Sequence, residues 1–210
     1  MRCLYIDTSS NFLFTGIVEN DELLIQLQER LEQNLSRDAL PEIAKMFDKV
    51  GLKPKDIDKI IVVDGPGSFT GIRIGITIAK VYAQTLGIKI TTISSLEAMA
   101  ISFDKANHYV PIIDARRGYV YAAIYDRNYK EELFPQHIKL SLVEEKLSML
   151  EDYLIITNDE IKTEGIKVTY KPDILKIVEK FKDKKNINPH SVNPNYLKLT
   201  EAEEKLISSK

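Results

Sequence analysis

Two features of this chain bring together residue types suited to ligand chemistry. The first is a pair of aspartates, Asp7 and Asp114, each closing a short apolar run. The second is the run Gly65-Pro66-Gly67-Ser68-Phe69-Thr70-Gly71-Ile72-Arg73-Ile74-Gly75, which follows the apolar stretch 60–63. A buried strand, a glycine-rich loop and a helix start make a phosphate cradle, because backbone N–H groups point outward and the helix dipole favours an anion. The run has no Gly-Lys-Ser/Thr, so no lysine is placed to reach a terminal phosphate, and its glycine spacing is not that of a dinucleotide fingerprint. It is not a Gly-x-Ser-x-Gly nucleophile elbow either, since Gly67 directly precedes Ser68.

Asp7, Thr8, Ser9, Gly65, Gly67, Ser68, Arg73 and Asp114 therefore outline a candidate nucleotide site of degenerate form. Each aspartate taken alone more commonly closes its own turn. Arg73 suits a phosphate or an acidic partner, and pairing is its commoner role. A different reading comes from Gly71, Gly75 and Ala79, which recur every four residues on one helix face. Small residues at that spacing admit a close neighbour, with Ile74, Ile78 and Tyr82 framing the seam. A contact inside the protein and a contact with another protein both fit.

The elements around these residues repeat. Strands are expected at residues 3–6, 12–18 and 23–28. A helix capped by Ser36 follows, reaching about residue 50, with Pro41 tolerated only near its first turn. The strand at 60–63 leads through the glycine loop to a helix over 71–86, then a strand at 88–93. Ser94 and Glu97 form a capping box for a helix over 96–103. The pattern then restarts. Leu4-Tyr5-Ile6-Asp7 matches Pro111-Ile112-Ile113-Asp114, and the strand at 12–17 matches that at 119–124 without a gap. Further on, Ser141 and Glu144 suggest a second capping box, residues 153–157 a strand, and Pro172 the first position of a helix over 174–182. The expected architecture is α/β, with two lobes at 1–103 and 104–210 that close a cleft facing both aspartates.

Composition is that of a soluble globular protein, with 44% hydrophobic and 29% charged residues. A net charge of -2 gives no general attraction for nucleic acid, and the lysine-rich stretch 176–185 is broken by Glu179 and Asp183. The lone Cys3 forms no internal disulfide, and no stretch has the length of a membrane span, so a cytoplasmic location is expected. The three histidines, His108, His137 and His190, form no His-x-x-x-His pair, so no metal site is expected from one helix.

The glycine-rich run resembles the signature of the TsaB (YeaZ) family. Asp7-Thr8-Ser9, Asp114-Ala115-Arg116-Arg117-Gly118 with Val120-Tyr121, and Pro194 with Tyr196-Leu197 and Glu201-Ala202-Glu203 resemble that family's other motifs in order. Two positions depart from it: Leu35 stands where many relatives have histidine, and Tyr119 where many have glutamate. The resemblance implies a two-lobed actin/Hsp70-like (ASKHA) fold and a part in making threonylcarbamoyladenosine in tRNA. It implies a non-catalytic partner of TsaD, the related subunit that carries the metal and the chemistry. TsaE joins the pair, ATP and Mg are used by the complex, and no cofactor is expected on this chain. The chain alone is expected to form a homodimer and to meet tRNA only through the complex. The partner-binding residues would be Leu40, Ile43, Phe47, Gly71, Ile74, Gly75, Ile78, Ala79 and Tyr82. The alternative function is an ATP-binding kinase-like enzyme or a glycoprotease-like hydrolase.

Overall fold

The computed structural model describes residues 1–31 and 34–198. The expected Glu201-Ala202-Glu203 motif lies outside them. Strands β1 (Arg2–Asp7), β2 (Phe12–Glu19) and β3 (Glu22–Arg30) form an antiparallel meander. Helix α1 (Leu35–Lys49), strand β4 (Lys59–Gly65), helix α2 (Phe69–Leu86) and strand β5 (Lys89–Ser94) follow. The strand order is β3-β2-β1-β4-β5, with β4 and β5 parallel to β1.

Helix α3 (Ser95–Ile101) leads to the second sheet. Strands β6 (His108–Asp114), β7 (Tyr119–Asp126) and β8 (Glu131–Lys139) repeat the meander, then come helix α4 (Leu140–Leu147) and strands β9 (Tyr153–Ile156) and β10 (Lys167–Val168). The order β10-β9-β6-β7-β8 is the first sheet's order again. Helix α5 (Ile174–Phe181) packs on β1, β2 and β3. This is the two-lobed α/β architecture expected. The hairpin alignment needs one correction. Asp7 faces Phe14 across β1 and β2, but Asp114 faces Val120, so the second turn is one residue tighter than a gap-free repeat requires.

Alternation along the strands divides the core. Leu4, Ile6, Ile60 and Val62 bury one face of the first sheet under α1 and α2. Tyr5, Phe14, Ile61 and Val63 face the other way, against α3, α5 and the second sheet's Tyr109 and Tyr125. The boundary at 103 falls between the sheets, yet residues 187–195 return to the first lobe. Ile187 N donates to Ile90 O at 2.8 Å, Lys80 Nζ to Val192 O at 3.0 Å, and Asn195 N to Asp64 O at 2.7 Å. Among the described residues, no helix is long and apolar enough to cross a membrane.

Several expected element ends move. Leu35, not Ser36, opens α1, because Leu35 belongs to the buried stripe with Ala39, Ile43, Met46 and Phe47. That stripe also carries the helix through Pro41, which sits on its exposed side. Ser94 does cap α3, accepting from Leu96 N at 3.3 Å. The Ser141–Glu144 box does not open α4, which starts at Leu140 directly after β8, with no side-chain cap. Pro172 is not the first helical position of α5, which starts at Ile174 after its N-cap Asp173, whose side chain accepts from Lys176 N at 3.1 Å.

Candidate functional site

The glycine-rich run does form a strand, loop and helix start, and Ser68 caps α2 by accepting from Gly71 N at 3.2 Å. The cradle, however, holds the chain's own turn. Ser68 N donates to Ser9 O at 2.7 Å, and Thr8 Oγ1 donates to Gly71 O at 2.7 Å. A Cβ placed on Gly67 would come within 3.0 Å of Ser9 O, one on Gly71 within 3.0 Å of Thr8 O, and one on Gly75 within 3.0 Å of Thr8 Oγ1. Gly65 meets the C-terminal segment instead, where an added Cβ would lie 2.5 Å from Asn195 O. Gly67, Gly71 and Gly75 are spaced for close approach, and Thr8 and Ser9 make it, through main-chain oxygens at Gly67 and Gly71 and through the Thr8 hydroxyl at Gly75.

Asp7 sits beneath this turn, 1% exposed. Its Oδ1 accepts from Ser9 N at 2.8 Å and Ser9 Oγ at 2.7 Å, and its Oδ2 from Tyr5 Oη at 3.3 Å and Tyr170 Oη at 3.4 Å. Burial pushes the carboxyl above the usual range, while the Ser9 and tyrosine hydrogen bonds pull it back down. Both oxygens are engaged in protein hydrogen bonds, so this acid is not presented to a hydrated cation. The buried side of the glycine loop is thus taken by residues 8 and 9, while Ser9, Gly67 and Ser68 also reach the cleft between the lobes.

Asp114 is exposed on the cleft between the lobes, where Ser9, Gly67 and Ser68 also line the wall. Its Oδ1 accepts from Arg116 N at 2.9 Å, as Asp7 does from Ser9 N, so both repeat aspartates close their turns. Its backbone N donates to Asp159 Oδ2 at 2.8 Å. Burial raises the Asp159 carboxyl, the Asp114 N–H lowers it, and the Asp114 charge raises it further. The cleft between the lobes has a volume of about 690 Å³, with Arg30, Ser68, Phe69, Asp114, Arg116 and Tyr170 among its lining residues.

Arg73 pairs with no acid among the described residues. Its Nε donates to Tyr196 Oη at 2.6 Å, and its guanidinium lies 3.8 Å from the Phe69 ring centroid, which gives a cation–π contact. The phenol of Tyr196 stacks on Phe69 at 4.9 Å, so this cluster fastens the C-terminal segment to the start of α2.

Of the residues expected at a partner seam, Ile43, Phe47, Gly71, Gly75, Ile78 and Ala79 are buried in the first lobe. The small-residue face lies against Ile6 and Thr8 of the same chain, not against an open seam. Ile74 and Tyr82 are half-buried, and Leu40 is 47% exposed. Val81, which the periodicity did not single out, is 48% exposed on the outer side of α2. Leu35 fills the first-lobe core, and Tyr119 stacks on His137 at 4.8 Å. Of the other histidines, His108 contacts Asp152 O and His190 contacts the Gln84 amide. Among the described residues, no three of His, Cys, Asp and Glu are grouped to hold a metal ion.

Tyr170 and Asp159 were not anticipated. Nothing in the local sequence marks either, since each acquires its role from residues far away in the chain.

The family model described as TsaD, tRNA N6-adenosine threonylcarbamoyltransferase, matches residues 28–134. The chain is 33% identical to the tRNA threonylcarbamoyladenosine biosynthesis protein TsaB of Bacillus subtilis (strain 168), over 100% of this chain and 99% of that protein. It is 33% identical to the protein of the same name from Escherichia coli (strain K12), over 61% of this chain and 56% of that one. Among solved structures, YeaZ from Pseudomonas aeruginosa superposes with a TM-score of 0.76 at 20% identity, covering 93% of this chain and 99% of that one. That likeness shows the fold, and the full-length identity shows the family. The chain belongs to the TsaB family of tRNA threonylcarbamoyladenosine biosynthesis proteins.

Proposed function

We propose that this protein serves the formation of N6-threonylcarbamoyladenosine in tRNA as a non-catalytic, activating subunit that binds TsaD. Family membership supplies the pathway. The observation that carries the non-catalytic part is the filled cradle: Thr8 and Ser9 occupy the glycine loop, and Asp7 is held under them. The partner surface in this reading is the outer stripe of the first lobe, made by Leu40 of α1 with Ile74, Val81 and Tyr82 of α2. Exposed apolar side chains on two rigid neighbouring helices suit a helical partner. TsaE joins that pair, tRNA is met through the complex, the isolated chain pairs with itself through the same stripe, and the work is cytoplasmic.

Leu40→Asp combined with Val81→Asp tests the surface without touching the core. Co-purification with TsaD should be lost while circular dichroism and thermal unfolding stay near wild type. A folded double variant that still co-purifies with TsaD would remove this stripe from the interface. A second reading, an ATP-dependent kinase-like or hydrolytic enzyme, draws on the open 690 Å³ cleft. Micromolar ATP binding by the isolated chain in titration calorimetry would favour it.

A further inference from the structure

Two stretches of chain cross between the sheets: residues 102–107, joining α3 to β6, and residues 169–173, joining β10 to α5. They are tied to each other. Asp173 N donates to Ser102 Oγ at 3.0 Å, and Lys176 Nζ meets Asp104 Oδ2 at 2.8 Å. Any swing of one lobe against the other must bend here.

Tyr170 lies in the second crossing. Val168, two residues earlier, is paired with Ile156 in the second sheet. Tyr170 itself reaches into the first lobe, where its ring meets Phe14 edge-on at 5.5 Å and its hydroxyl lies 3.4 Å from Asp7 Oδ2. Asp7 and Phe14 face each other across β1 and β2, so the ring is held by one cross-strand pair. The ring also lines the cleft, whereas Asp7 is 1% exposed behind it. Moving the second sheet away from the first therefore either strains the two residues after Val168 or pulls Tyr170 from Asp7.

We propose that Tyr170 is a hinge pin: its contact with Asp7 fixes the second crossing to the first lobe, and its release lets the cleft widen and its floor open. The pin explains why a buried aspartate keeps a hydroxyl donor from a distant part of the chain although Ser9 already satisfies Oδ1 twice. The inference does not depend on TsaD binding, since every group in it belongs to this chain.

The built-in control is Thr15. Its Oγ1 donates to Tyr5 O at 2.7 Å between β2 and β1, inside the first lobe, whereas the Tyr5 hydroxyl lies 3.4 Å from Tyr170 Oη as well as 3.3 Å from Asp7 Oδ2 and so belongs to the pin. Tyr170→Phe and Thr15→Val thus each remove one buried hydroxyl, one across the hinge and one within a lobe. Amide hydrogen exchange of the full chain, read by NMR at Asp173, should separate them. For Tyr170→Phe the Asp173 amide should exchange about five- to tenfold faster than in wild type, the change set by one lost hydrogen bond. Thr15→Val should leave the Asp173 rate unchanged. Equal acceleration in both variants, or none in either, would overturn the pin. Because Tyr170→Phe keeps the ring against Phe14, the comparison does not rest on a variant that loses its core packing.

Discussion

Gly75→Ala in the isolated chain tests whether the small-residue face of α2 is an internal seam. In an ordinary helix interior, glycine to alanine gains about 1 kcal/mol. Here the new Cβ would come within 3.0 Å of Thr8 Oγ1, with Thr8 Cβ and Ile6 Cγ2 both at 3.5 Å. The Thr8 side chain is fully buried, and its hydroxyl donates to Gly71 O at 2.7 Å. Rotating it away would leave a buried hydroxyl unpaired, and forcing the methyl in would overpack the seam; either costs about 1–3 kcal/mol. With the helix gain offsetting about 1 kcal/mol of this, a net loss of up to about 2 kcal/mol is expected. For a chain of this size that is a fall in Tm of up to about 8 °C. Thr8→Ala removes Oγ1 and leaves only the 3.5 Å contacts. In that background Gly75→Ala should become neutral or stabilising by up to about 1 kcal/mol. At Gly71 the obstructing atom is the main-chain Thr8 O, so Thr8→Ala should not rescue Gly71→Ala. Scanning calorimetry or denaturant unfolding of these variants reads the whole cycle. A rise in Tm for Gly75→Ala in the wild-type background would mean that the face is open to solvent or to a partner, and the internal seam would be refuted.

Two further outcomes follow from buried titratable groups. Burial pushes the Asp64 carboxyl from 3.8 up to about 6, against the Thr92 hydrogen bond and the Lys184 charge, which lower it. A folded pKa above the unfolded one means that its stabilising contribution is complete below about pH 3.8 and lost as pH rises through about 6. Asp64→Asn should therefore gain on wild type as pH rises from 4 to 8, by at most about 3 kcal/mol; an equal Tm difference at both pH values would contradict this. Burial likewise pushes the Cys3 thiol to about 11. At pH 8 the thiolate is about one part in a thousand, so Ellman's reagent should label the native chain only as fast as it unfolds, and labelling at a free-thiol rate would contradict the burial.

How much was legible follows from what local pattern encodes. Continuous apolar runs at 3–6 and 60–63 gave β1 and β4, because those strands sit inside the first sheet, and alternation at 23–28 gave the edge strand β3. Strand β8 was missed for the opposite reason. It is an edge strand that carries Glu131, Glu132, Gln136 and His137 with Pro135 in mid-run, so no apolar run or clean alternation marks it. The helix period correctly put Gly71, Gly75 and Ala79 on one face. It could not say what that face touches, because the neighbour, Thr8, lies 63 residues before Gly71. Tyr170 and Asp7 are 163 residues apart, and nothing in either one's local sequence points to the other. Periodicity names faces, and only the tertiary fold pairs them.

Both sheets share one strand order, but the connection from β4 to β5 is the long helix α2, while β9 and β10 are joined by the loop 157–166 without a helix among its residues. Ligands of open α/β sheets sit beyond the carboxyl ends of the strands. In this chain the first lobe's loop is filled from within, and the second lobe has no glycine loop and helix in the matching place. What the first lobe gains in return is a helix seated unusually close to its sheet, since Gly71 and Gly75 bring the α2 backbone against Thr8. That seating fixes the outward stripe of Ile74, Val81 and Tyr82 on a rigid base rather than on a movable loop. The helical period puts Ile74 and Val81 on the flank of the face that carries Gly71 and Gly75, so in the proposed reading substitutions at Gly75 and at Val81 should separate, one lowering stability and the other association.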